Sequence, residues 1–125
     1  MGRLIKNIIE AINNRHSVRR YTDKKIDENI KSELLETIDE CNREGNLNIQ
    51  LCIEEPKAFD SFMAHYGKFC NVRNYIAIVG KKGNDFYEKC GYYGEKVVIK
   101  ATQLGLNTCW VALTFSKGNA MCRIE

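Results

Sequence analysis

Between Asp27 and Ile53 the apolar residues change period, and that change restricts the chain to folds that combine helix with strand. Ile30, Leu34, Ile38 and Cys41 recur every three or four residues, which lines them along one helical face, with Asp27 as N-cap and Gly45 as the C-terminal stop. Immediately afterwards Leu47, Ile49, Leu51 and Ile53 alternate with Asn48, Gln50 and Cys52. That is the period of a strand with one more polar face, and Glu54, Glu55 and Pro56 close it. One amphipathic helix and one strand in direct succession each need a cover for their apolar side, so the shortest solution packs them against a shared core.

The remaining segments extend the same alternation. Leu4, Ile5, Ile8, Ile9 and Ile12 mark the apolar face of a first helix that stops at Asn13 and Asn14. A short helix is expected from about Lys57 to Tyr66, and Tyr75 to Val79 reads as a buried strand closed by Gly80, with a turn over 81–84. A long helix is predicted from Asp85 to Leu104. Gly91, Gly94, Val98, Ala101 and Gly105 follow one side of it, small residues that let another backbone come close. Glycine inside a helix costs about 1 kcal/mol relative to alanine, so these positions need a packing reason or a nearby ligand. Gly105 ends the helix, and Thr108 to Phe115 reads as a second buried strand, whereas Phe115 to Glu125 carries no clear element. The order is that of an α+β or α/β sandwich, and 125 residues without repeat, linker or low-complexity segment suit a single domain.

Composition removes several function classes. No apolar run reaches the roughly 18 residues of a membrane-spanning helix, and Met-Gly-Arg-Leu-Ile-Lys at the start lacks a signal-peptide pattern. The six cysteines contain no Cys-x-x-Cys pair, so they read as reduced thiols of a cytoplasmic protein rather than disulfides or metal ligands. Net charge is +3, but residues 15–25 alone hold five Lys or Arg against one Asp, which leaves the rest near neutral. A local basic cluster suits one anionic ligand; nucleic-acid binders spread such charge over a face.

Arg15-His16-Ser17-Val18-Arg19-Arg20-Tyr21 is the most informative stretch. In extended form, alternation puts Arg15, Ser17 and Arg19 on one side, two guanidiniums flanking a hydroxyl, a clamp for phosphate. A solvated basic turn is the other reading of the same residues. His16 could donate a proton, or it could simply pack beside a ligand. His65 has no acid or nucleophile at useful spacing, so a hydrolytic triad has no support. Gly91-Tyr92-Tyr93-Gly94-Glu95-Lys96 does not match the dinucleotide fingerprint, and no Gly-Lys-Ser/Thr loop occurs. The paired tyrosines either stack on a ring or fill a core or subunit contact, and Trp110 in an apolar strand is ordinarily core.

Two of these segments together resemble one family. Arg15-x-Ser17-x-Arg19-x-Tyr21 after an amphipathic helix is similar to the Arg-x-Ser-x-Arg-x-Phe/Tyr motif of FMN-dependent nitroreductases. Gly91 to Lys96, with Thr102-x-x-Gly105-Leu106-Asn107-Thr108-Cys109-Trp110-Val111, resembles the long central helix and following strand of a subgroup of that family. The resemblance implies an α/β sandwich whose central, mainly antiparallel sheet is flanked by helices. It also implies an FMN site built from Arg15, His16, Ser17, Arg19, Trp110, Val111 and Ala112, with Arg15 and Ser17 toward the phosphate and Arg19 toward the flavin N1/O2 edge. NAD(P)H as electron donor, ping-pong transfer to nitroaromatics, quinones or similar acceptors, and a homodimer whose close helix-to-helix contact would suit the small-residue side of the long helix are further implications. Ala112-Leu113-Thr114 replaces the Gly-rich turn common in the family. Family members usually run well beyond this length, so the chain is expected to be the N-terminal part of the full fold, paired with a C-terminal half or a second copy, and a flavin module without turnover is the alternative.

Overall fold

The computed structural model describes residues 7–22, 24–54, 72–81 and 83–111. Three helices and two strands appear there: α1 (Ile8–Asn14), α2 (Glu28–Gly45), β1 (Gln50–Cys52), β2 (Tyr75–Ala77) and α3 (Phe86–Gln103). The expected helix near 57–66 lies outside the described residues, as do Leu4 and Ile5 of the first helix.

Helix α2 follows its sequence pattern. The Asp27 carboxylate accepts the Asn29 N–H at 2.8 Å, satisfying one of the donors that a helix start leaves free. Leu34, Ile38 and Cys41 are buried. Its end differs from expectation: Gly45 is still helical and Asn46 takes the left-handed conformation, at φ 52°. Asparagine tolerates that region, and Gly45 is glycine for another reason. A Cβ there would meet the Tyr93 ring of α3 at 2.6 Å. The turn into β1 is then clamped by one side chain, since Asn42 Nδ2 donates to the Ile49 carbonyl at 3.1 Å and Asn42 Oδ1 accepts the Ile49 N–H at 2.7 Å.

The strands pair antiparallel, with Gln50 opposite Ala77, Leu51 opposite Ile76 and Cys52 opposite Tyr75. They are shorter than the alternation suggested, although the Asn48 N–H still donates to the Val79 carbonyl at 2.7 Å. At the other end Glu54 N–H donates to Asn74 Oδ1 at 2.8 Å, and Arg73 lies 3.6 Å from the Glu54 carboxylate. One face of this sheet meets α2 and α3. Leu34, Ile38 and Cys41, Ile49, and Val97, Ala101 and Leu104 form the core, with Leu51, Ile76 and Ile78 packed against it. The result is an α+β arrangement with helices laid on an antiparallel sheet.

Two sequence expectations change. Helix α1 packs on α3 through Ala11, which is fully buried, whereas Ile8, Ile9 and Ile12 are 57%, 65% and 52% exposed. The small side chain faces inward because it admits a close approach; the branched ones face out. Along α3 the buried residues are Gly94, Val97, Val98 and Ala101. The small-residue side is therefore occupied within the chain at Gly94, Val98 and Ala101, and is not a free subunit surface there. Gly105, at φ +85°, does end the helix: its N–H donates to Thr102 and that of Leu106 donates to Ala101.

Candidate functional site

Helix α1 ends where the basic motif begins. The Arg15 N–H donates to the Ala11 carbonyl at 2.9 Å, and Arg15 itself is extended. From there the chain runs alongside the segment that follows α3. Ser17 and Thr108 form a parallel bridge, with the Val18 N–H donating to the Thr108 carbonyl at 3.0 Å. Thr108 to Val111 is not part of a strand; the isolated bridge to Ser17 stands in place of the expected ladder, and 112–115 lie outside the described residues. The two segments singled out in the sequence, ninety residues apart, are thus brought side by side.

Burial along the motif does not alternate. Arg15, Val18 and Tyr21 are half-buried, while His16, Ser17, Arg19 and Arg20 are exposed. The inward residues recur every third position, so Arg15 separates from Ser17 and Arg19 in burial. Its Nε and Nη2 are out of contact with solvent and have no hydrogen-bond partner, and the same holds for Thr108 Oγ1. Three hidden, unsatisfied polar atoms at one junction are costly, at about 1–3 kcal/mol for each group left unpaired. A guanidinium is donor-only, so what it lacks is an acceptor, and an anion satisfies both nitrogens at once.

Tyr21 closes the neighbourhood. Its hydroxyl donates to the Val18 carbonyl, and burial pushes its pKa up to about 12, with Cys109 adding to the rise while Arg15 and Arg19 oppose it. Those mutual influences bring Tyr21, Cys109, Arg15 and Arg19 into one electrostatic environment. Across the working pH range Tyr21 stays neutral, so it brings no negative charge to compete with an anion held by the guanidiniums. His16 is peripheral: its Nδ1 lies 3.2 Å from the Asn14 carbonyl on an exposed ring.

Trp110 departs from its expected core position, being 47% exposed. Its indole N–H donates to Glu95 Oε1 of α3 at 3.0 Å. A Cβ on the neighbouring Gly94 would lie 2.7 Å from Trp110 Cη2 and 2.6 Å from Ile78 Cδ1, so Gly94 exists to seat that ring. Val111 is half-buried beside it, and Ala112 lies outside the described residues. Tyr93 packs on Gly45 as a core contact, whereas Tyr92 is 61% exposed. Lys96 stands over both rings, 5.4 and 5.8 Å from their centroids, and pairs with Glu44 at 3.6 Å, joining α3 to α2.

Sequence reasoning gave no role to Glu95, and nothing in its spacing, fifteen residues before Trp110, signals the contact. The four described cysteines, Cys41, Cys52, Cys90 and Cys109, are free thiols, and no cluster of metal-binding side chains occurs among the described residues. Among the same residues, no helix is long and apolar enough to cross a membrane.

Compared with known families, residues 7–125 match the family model described as "Putative TM nitroreductase". No curated protein and no solved structure matches the chain. The chain belongs to this nitroreductase family, and its general role is that of an oxidoreductase.

Proposed function

We propose that this nitroreductase-family chain holds FMN and passes electrons from NAD(P)H to nitroaromatics, quinones or similar small acceptors in the cytoplasm. The observation that carries the reading is the set of unpartnered, hidden atoms Arg15 Nε and Nη2 and Thr108 Oγ1. They lie at the junction of the two segments that carry the family likeness, and their chemistry fits the phosphate end of a flavin mononucleotide. Arg15 would take phosphate oxygens through its planar pair of donors, with the Ser17 hydroxyl nearby. Arg19, exposed beside Tyr21, would stand toward the N1/O2 edge, where a guanidinium stabilises negative charge. Trp110, Val111 and Ala112 would border the ring, and His16 the outer rim.

Bound flavin supplies hydride acceptance at N5 and two-electron return to the acceptor, so no side chain acts as a nucleophile. The residues of this chain bind, orient and set charge. Donor and acceptor would be served in turn at the one site, the basis of a ping-pong scheme. The outward Ile8, Ile9 and Ile12 give α1 an apolar surface of the kind subunits bury, which supports a homodimer. Sedimentation of the flavin-loaded protein should give twice the chain mass; a flavin-loaded monomer would contradict the dimer.

The test of the activity is the visible spectrum of protein that has been supplied with FMN and desalted, before and after anaerobic NADH or NADPH. Retained flavin bands that bleach with either nucleotide are the expected result. Bands that stay unbleached with both would make the chain a flavin-binding module without turnover, the reading favoured by Ala112-Leu113-Thr114 in place of a Gly-rich turn. A colourless protein would overturn flavin binding by this chain.

A further inference from the structure

An aromatic side chain that is half in solvent ordinarily samples several rotamers, and ordering it on binding costs part of the affinity. Trp110 is 47% exposed yet is held at two points, both on α3. The indole N–H donates to Glu95 Oε1 at 3.0 Å, and the far edge of the ring sits over the missing side chain of Gly94. Ile78, from the segment after β2, closes on Gly94 from another side. A hydrogen bond at one end of the indole and a steric seat at the other fix both side-chain torsions.

Two residues before Trp110, Thr108 is bridged to Ser17. The hold on Trp110 therefore anchors the outer end of the segment whose inner end joins the basic motif. We propose that Glu95 is a positioning residue: it keeps Trp110 in one orientation, so that the indole stands ready as a wall for the flat ring of the flavin. The proposal rests on the flavin reading above. Glu95 touches no ligand in this scheme and acts only through Trp110. A charged acceptor makes the stronger bond to an indole N–H, and glutamine at 95 would keep an acceptor oxygen in the same place.

Trp110 is the only tryptophan in the chain, so its fluorescence reports the hold directly. In flavin-free protein, Glu95→Ala should lower the emission anisotropy and increase quenching by acrylamide, while Glu95→Gln, which keeps a weaker acceptor, should fall between Glu95→Ala and the native chain. FMN affinity, read from quenching of the same emission, should fall about two- to tenfold in Glu95→Ala, the cost of ordering one side chain on binding. FMN binding by a Trp110→Phe variant, followed through flavin fluorescence, should be insensitive to adding Glu95→Ala, because the hydrogen bond is already gone. Unchanged anisotropy and quenching in Glu95→Ala would overturn the hold itself, leaving the flavin reading intact. An undiminished effect of Glu95→Ala in the Trp110→Phe background would overturn action through Trp110. A native protein that takes up no FMN would overturn the flavin reading and, with it, the purpose assigned to the hold.

Discussion

Arg15→Met is expected to raise the thermal stability of the flavin-free chain and at the same time to lower its FMN affinity by about a hundredfold or more. The opposite signs follow from one observation, that Arg15 Nε and Nη2 are hidden from solvent with no partner. Without a ligand these groups have lost water and gained nothing, a penalty of about 1–3 kcal/mol that Met does not carry. Met also matches the unbranched stem of Arg, so the packing of the aliphatic part is kept. With FMN bound, the same nitrogens become charge-assisted donors to phosphate, each bond contributing about 1.5–3 kcal/mol. Thermal unfolding without flavin and a flavin titration, run on native and variant protein, check both halves. A variant that unfolds at a lower temperature than native would mean that the guanidinium has a partner in the free protein, and the case for a waiting anion site would fall with it. Arg15→Lys separates charge from geometry, since an ammonium keeps the charge but not the planar pair of donors.

The elements that were legible in the sequence are those whose pattern and packing agree. In α2, Leu34, Ile38 and Cys41 are both periodic and buried, and Asp27 caps the helix as its position implied. Gly105 ends α3 through a positive φ that glycine adopts without strain. Helix α1 shows the converse. Its isoleucines are the better hydrophobes, but periodicity does not reveal what lies opposite, and the surface of α3 accepts Ala11 instead. Gly45 was legible as a glycine that matters and illegible in its reason, because the Tyr93 ring it accommodates comes from a helix nearly fifty residues away.

The site divides along the same line. The basic motif and the Thr108 to Val111 segment could be picked out as chemistry-bearing, since each has a local signature. Their juxtaposition could not, because an isolated bridge such as that between Ser17 and Thr108 leaves no periodic trace. Strict alternation, assumed for an extended motif, also failed to anticipate that Arg15 turns inward with Val18 and Tyr21 while Ser17 and Arg19 stay exposed. Glu95 is a purely tertiary finding: an indole donor and a carboxylate acceptor meet only once α3 and the segment after it are folded.

The two glycines inside α3 should respond to the same substitution with opposite signs. Gly91→Ala places a methyl group in open space, since nothing lies within 4 Å of the position. It should therefore gain the helix-forming advantage of alanine, about 1 kcal/mol. Gly94→Ala gains the same advantage but drives the methyl to 2.6 Å from Ile78 Cδ1 and 2.7 Å from Trp110 Cη2. Overpacking of this kind costs about 1–3 kcal/mol, and occasionally more. The end of Ile78 can rotate away. The indole cannot do so without breaking its bond to Glu95, so the cost falls at the upper end and the net loss is about 2 kcal/mol. A difference of about 3 kcal/mol between the variants corresponds to melting temperatures separated by roughly 10 °C or more. The emission of Trp110 should shift in Gly94→Ala and not in Gly91→Ala, because only the former unseats the ring. If both variants gain stability equally, Trp110 does not rest on Gly94. If Gly94→Ala loses stability while the emission is unmoved, the clash is relieved at Ile78, and the seat is set by the sheet rather than by the indole.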